Sequence, residues 1–174
     1  MFLKRLIQLI VVVAFTTILA RMFVVDSFIV RGDSMAPTLV DGDYVFINKF
    51  SYVFSSPQRF DIVAVDAPEG PERKFIKRIV GLPRERVEIS EGVVRIKESR
   101  ADEGTVLSEP HISVPTPLDT IMNLDPLDYF LMGDNRFAST DSRQLGAFTK
   151  RLLEGKLLFH ISPKKIFDLV KNGR

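Results

Sequence analysis

The longest apolar run of the chain lies at its start. From Leu6 to Val25 the polar side chains are limited to Gln8, Thr16, Thr17 and Arg21; wound as a helix, the run spans about 30 Å, the thickness of one hydrocarbon core. Lys4 and Arg5 precede it, and positive charge is retained on the cytoplasmic side of a membrane. Residues 1–5 are therefore expected in the cytoplasm, 6–25 as a single-pass transmembrane anchor, and 26–174 beyond the membrane. Arg21, near the exit end, has a stem long enough to snorkel to the headgroups. A charged start before an apolar core also fits a cleaved signal peptide. Against cleavage, Ala20 is the small residue at the end of the core, Ile18 stands where a second small side chain is needed, and Arg21 follows.

After the anchor the pattern changes to short apolar runs rich in β-branched and aromatic residues, separated by Gly, Pro, Asp and Ser. These are Phe28–Val30, Tyr44–Ile47, Ile62–Val65, Phe75–Val80, Val87–Ile89, Val93–Ile96 and Tyr129–Met132. Strands of this length and spacing predict a mainly β fold, an antiparallel sandwich or barrel. Between residues 84 and 127 the chain gains Pro110, Pro115, Pro117 and Pro126 and has few apolar runs. That stretch reads as a small insert, with one hairpin over Val87–Lys97 and irregular chain after it. The last stretch, Lys150–Arg174, sets Leu152, Leu153, Leu157, Leu158, Phe159, Ile166, Phe167, Leu169 and Val170 against basic residues. It reads as a surface helix packed on the sheet, or as a second contact with anionic headgroups.

Composition narrows the function classes. Lys and Arg number 24 against 22 Asp and Glu, a formal net charge of +2, so nothing points to a nucleic-acid partner. The absence of cysteine excludes a thiol nucleophile, CxxC redox chemistry and thiolate zinc sites, and no metal or other cofactor is expected. The two histidines, His111 and His160, lie in the Pro-rich insert and the basic tail, away from turn chemistry.

Three stretches carry candidate chemistry. In Gly32-Asp33-Ser34-Met35-Ala36-Pro37 the backbone turns around a serine, a place to hold an exposed hydroxyl, although such letters more often only cap a strand. In Lys74–Val80, period-two alternation puts Phe75, Lys77 and Ile79 on one face and Ile76, Arg78 and Val80 on the other. A lysine between apolar walls loses hydration, which lowers its pKa and makes the neutral amine a usable base, unless it snorkels out to water. In Gly133–Gly146 a strand ends in a tight turn, followed by hydroxyls and paired Asp and Arg side chains. This is either a surface ion-pair loop or a polar scaffold in which Ser139 steadies the amine. A serine hydroxyl activated by a lysine needs no histidine.

Together these stretches resemble the bacterial type I signal peptidases, or leader peptidases, the membrane-anchored Ser/Lys proteases of the S26 type. The likeness follows chain order: an anchor; Ser34, Met35, Pro37, Thr38, Leu39; Gly42, Asp43 with Asn48, Lys49, Phe50; Lys77, Arg78 with Gly81, Leu82, Pro83; then Gly133, Asp134, Asn135, Arg136, Ser139, Asp141, Ser142, Arg143 and Gly146. The resemblance implies Ser34 as nucleophile, Lys77 as general base and Ser139 as the hydroxyl that holds the lysine. It implies Asp141 and Arg143 as supporting residues, and Arg78 with Asp134 as a salt bridge across the site. It also implies a β-rich catalytic core with a β insert, at the bacterial cytoplasmic membrane, acting on signal peptides of exported preproteins in contact with lipid. The oligomeric state stays open, with a monomer expected.

Three positions depart from the family pattern. Gly32 stands where some members carry a serine that helps bind the oxyanion, which leaves the Ser34 N–H and a donor near residue 32. Arg84 and Glu85 follow Gly81-Leu82-Pro83 where Gly and Asp are usual, and Phe60 stands where Gly is usual. Two other readings remain: a Ser/Lys peptidase for one dedicated secreted substrate, and a tethered β domain that binds signal peptides without cutting them. A self-cleaving repressor is disfavoured, because it needs a DNA-binding domain where this chain has an anchor.

Overall fold

The computed structural model describes residues 2–67, 70–98, 103–164 and 166–167, with the side chains of 18–24 and 70–73 also left out of the description. Helix α1 runs Phe2–Val24 and passes directly into strand β1, Val25–Ile29. Among the described residues no helix is long and apolar enough to cross a membrane. The C-terminal part of the expected 6–25 anchor, Arg21 included, falls on side chains outside the described residues.

The core strands are β2 Tyr44–Asn48, β3 Ile62–Ala67, β4 Gly70–Gly81, β5 Arg86–Ser90, β6 Val93–Lys97, β7 Thr105–Val106, β8 Thr120–Asn123, β9 Asp128–Met132, β10 Phe148–Thr149 and β11 Leu153–Ile161. Short helical turns, α2 Ser51–Phe54 and α3 Ser142–Leu145, interrupt them. A seven-stranded sheet has the order β1-β2-β11-β3-β4-β9-β10, and a four-stranded sheet the order β7-β6-β5-β8. Every pairing is antiparallel. Each of the seven expected runs lies in or overlaps a strand, and the hairpin expected over Val87–Lys97 is β5 and β6. The chain beyond that hairpin is not wholly irregular, since β7 and β8 flank it and complete the smaller sheet.

The tail is a correction. Lys150–Leu152 forms a single 3₁₀ turn, and Leu153–Ile161 is a strand inside the larger sheet rather than a surface helix. Its ladder to β3 shifts between Leu153 and Gly155, and its ladder to β2 shifts between Leu157 and Phe159. Each bulge reverses which side chain faces inward, so a simple alternation such as that of β2 is lost. Gly155 is required there, because a Cβ would run into the Asn48 carbonyl.

Two apolar clusters position the site. Val63, Val65, Ile79, Tyr129, Leu131, Phe148 and Leu153 pack beneath one face of β4, with Phe75 against them. Val30, Met35, Leu39, Val45 and Ile62 pack beneath the other, with Phe28 and Ile76 against them. The alternation expected along β4 holds: Phe75 and Ile79 serve the first cluster and Ile76 the second.

Candidate active site

Ser34 sits in the loop between β1 and β2. The loop is closed at its base, where Val30 N–H donates to the Asp43 carbonyl (2.8 Å) and Gly42 N–H to the Val30 carbonyl (3.0 Å). It is anchored from below by Met35 and Leu39, both fully buried. Gly32 has φ +83°, in the left-handed region that glycine enters without strain. Its N–H donates to Asp41 Oδ1 (2.9 Å), so that amide is already engaged and is not the second oxyanion donor.

Lys77 lies on β4 and is 3 % exposed. Its Nζ donates to Ser139 Oγ at 3.1 Å and stands 5.5 Å from the centre of the Phe75 ring. Burial pushes the lysine pKa down to about 8; the charges of Asp141 and Asp134 oppose that shift and Arg143 adds to it. The hydroxyl on one side and the aromatic wall on the other hold the amine in place without a carboxylate touching it.

The polar loop after β9 supplies the scaffold. Asp141 caps α3 and forms a capping box with Gln144. Its Oδ2 accepts from the Gly133 N–H (3.0 Å), and Arg143 grips both carboxylate oxygens at 2.8 Å. Burial raises the Asp141 pKa, but these donors outweigh it and hold the carboxyl below its usual range. Gly133 also lies against the loop that carries Ser34. Asn135 N–H donates to the Ser34 carbonyl (3.0 Å), and a Cβ on Gly133 would collide with that carbonyl and with the Ser139 hydroxyl.

Arg78, on the other face of β4, makes a two-pronged pair with Asp134, Nε to Oδ1 at 2.8 Å and Nη2 to Oδ2 at 2.6 Å. Thr38 Oγ1 donates to the same carboxylate at 2.5 Å, which ties the Ser34 loop to the turn after β9. Burial again pushes Asp134 up, and the Arg78 and Thr38 hydrogen bonds bring it below the ordinary carboxylate value.

Sequence reading brought out Ser34, Lys77, Ser139, Asp141, Arg143, Arg78, Asp134 and Gly32, and the fold places all of them around this junction. It missed the part played by Thr38, by the missing side chain of Gly133, and by Arg136. The Arg136 guanidinium is buried against Glu109, Thr116 and the Gly133 carbonyl. Among the described residues no group of His, Asp and Glu could hold a metal ion.

A cleft of about 340 Å³ opens beside Ser34 and Lys77, lined also by Phe28, Val30, Met35, Lys74, Phe75 and Ile76. Its lining is largely apolar and includes the Ser34 hydroxyl and the desolvated Lys77 amine. A hydroxyl and a desolvated amine at one cleft are the groups that a serine hydrolase with an amine base requires.

The chain belongs to the signal peptidases of peptidase family S26: the family's sequence profile, "Signal peptidase, peptidase S26", matches residues 3–161. That membership makes it a serine endopeptidase of the signal-peptidase type. It is 32 % identical over 169 residues to "Probable signal peptidase I-1" of Synechocystis, covering 93 % of this chain and 84 % of that one. It is 30 % identical to "Signal peptidase I" of Bacillus caldolyticus, covering 84 % and 85 % of the two chains. The crystal structure of a signal peptidase I from Enterococcus faecalis V583 superposes with a TM-score of 0.51 at 30 % identity, over 59 % of this chain and 97 % of that one.

Proposed function

We propose that this protein is a membrane-anchored endopeptidase that removes N-terminal signal peptides from exported preproteins, with Ser34 as nucleophile and Lys77 as general base. The observation that carries the reading is the state of Lys77, a buried amine at the same cleft as Ser34, with a pKa lowered to about 8. A lysine so tuned has an appreciable neutral fraction near pH 8 and is strong enough as a base to take the hydroxyl proton.

Neutral Lys77 accepts the Ser34 Oγ proton as the oxygen attacks the carbonyl carbon of the last signal-peptide residue. The tetrahedral oxyanion forms beside the Ser34 N–H. Collapse breaks the C–N bond, and the proton on Lys77 passes to the departing amine, which is the new N-terminus of the mature protein. A water then gives a proton to Lys77 and attacks the acyl ester; as the bond to Ser34 Oγ breaks, the signal peptide leaves with a new carboxyl group and Lys77 returns the proton to Ser34 Oγ. Ser139 keeps Nζ aimed during both transfers, and Asp141 with Arg143 holds the loop that carries Ser139.

The anchor completes the reading. Leu6, Ile7, Leu9, Ile10, Val11, Val12, Val13 and Phe15 are exposed around the whole circumference of α1, a surface that suits acyl chains and not water. Lys4 and Arg5 favour the N-terminus in the cytoplasm of a bacterium and the β domain on the far side of its cytoplasmic membrane. Enzyme and substrate then meet in one membrane plane, which raises their effective concentration.

The test is cleavage, in lipid, of a preprotein with an Ala-x-Ala site. The parent is expected to cut after the final Ala, and Ser34→Ala and Lys77→Ala to be silent while folded. A folded parent that leaves the preprotein whole, while still retaining it, favours a binding domain instead.

A further inference from the structure

Besides Lys77, the cleft beside Ser34 is lined by two charged side chains that the catalytic cycle does not use, Arg31 and Lys74. Lys74 lies on β4, three residues before Lys77, and lines the same cavity. Its Nζ reaches the Phe28 ring on β1, 5.9 Å from the centroid. In the sheet β2, β11 and β3 separate β1 from β4, so this contact bridges the cleft rather than joining adjacent strands. The ammonium is pinned from below by the carboxylates of Glu154 on β11 and Asp66 on β3, the latter at 3.4 Å. A pinned lysine loses the freedom that an ordinary surface lysine keeps.

We infer that Lys74 is a specificity-determining bar that ends the acyl-side cleft three residues from the scissile bond, so that the fourth residue of the substrate before the cut must turn out to solvent. The inference rests on the proposed signal-peptide cleavage. From Lys77 to Lys74 the strand advances about 10 Å, the length of about three residues of an extended peptide laid beside it. Beyond that point a substrate side chain meets an ammonium whose charge is already answered by two carboxylates. Behind the ammonium is the Phe28 ring, an apolar surface that would accept a large side chain if the bar were absent.

The experiment compares kcat/KM for two otherwise identical preproteins carrying Phe or Ala at the fourth residue before the cut. In the parent, the two are expected to be cut within about twofold of one another. In Lys74→Ala the Phe:Ala ratio rises about 10-fold, the usual discrimination from one added apolar contact. Lys74→Arg keeps the bar and the parent ratio, while Glu154→Gln loosens the pin and gives an intermediate ratio. A ratio in Lys74→Ala that matches the parent overturns the inference, as does a Lys74→Arg ratio that matches Lys74→Ala. If the parent cuts neither preprotein, signal-peptide cleavage itself fails, and the bar is judged by binding of the two signal peptides alone. Equal Phe:Ala affinity ratios in the parent and Lys74→Ala then overturn it, and a ratio raised in Lys74→Ala upholds it.

Discussion

At the scale of single residues the decisive quantity is the proton on Lys77. Its pKa is about 8 in the folded chain against 10.5 for an exposed lysine. Between those values the folded state binds fewer protons than the unfolded one, so stability rises with pH across that window and is lowest below it. The penalty for carrying the buried ammonium at neutral pH is about 3 kcal/mol. Lys77→Met is therefore expected to be inactive, yet to unfold in urea at pH 7 no more easily than the parent, with a gain of up to about 3 kcal/mol. In the parent, kcat/KM rises about tenfold per pH unit up to about 8 and then levels, as the neutral base accumulates. Ser139→Ala removes the hydrogen-bond partner of that amine and is expected to cut kcat about 100-fold with KM changed less than about threefold; steady-state kinetics on one preprotein reads both.

At the scale of elements, two residues hold a backbone conformation that favours glycine. Phe60 and Arg84 take φ of +69° and +71°, where a side chain costs about 1 kcal/mol or more. Arg84→Gly is expected to raise the urea midpoint by the equivalent of about 1 kcal/mol. Phe60→Gly gains less, because the Phe60 ring packs edge-on against His111 at 5.9 Å; parallel denaturation curves give the order. The strands that could be read from sequence are those that alternate, such as β2, where Val45 and Ile47 point inward, or that run apolar throughout, such as Ile62–Val65 in β3 and Tyr129–Met132 in β9. Strand β11 could not be, because two bulges break its phase and its place between β2 and β3 is fixed by partners 88 to 117 positions earlier. Pairs of two residues, as in β7 and β10, carry no period at all. The site followed the same division. Ser34, Lys77 and Ser139 stood out as reactive groups in odd settings, whereas the bonds from Arg136 to Glu109 and from Thr38 to Asp134 join positions that no local pattern connects.

At the scale of the whole molecule, the small insert and the larger sheet are joined by an apolar cluster, Val87, Ile89, Val94 and Leu124 against Val80, Phe130 and Met132, and beside it by buried charge. Arg136 is 2 % exposed and reaches out of the turn after β9 to Glu109 and Thr116, both in the 84–127 insert, while Arg143 donates to the Arg136 carbonyl and to the Pro117 carbonyl. The same turn carries Asp134 and Asp141, whose carboxyls are both held below their ordinary value. Depressed carboxylates stabilise the fold at pH values above the unfolded pKa, and that contribution is lost as pH falls through the folded values. Acid is thus expected to loosen this junction, and Asp134→Asn to flatten the fall in stability below the ordinary carboxylate value of 3.8; urea titrations at a series of pH values measure it. Glu109→Ala tests the junction without touching a reacting group. It leaves the Arg136 guanidinium buried beside only neutral acceptors, and breaking one partner of such a pair costs roughly 3–5 kcal/mol. Replacing both partners, Glu109→Leu with Arg136→Met, removes the stranded charge and is expected to recover most of that loss. If the double variant recovers stability but not kcat, the pair orients the Gly133 turn against Ser34 and Ser139; if kcat returns with stability, the pair serves only to dock the insert.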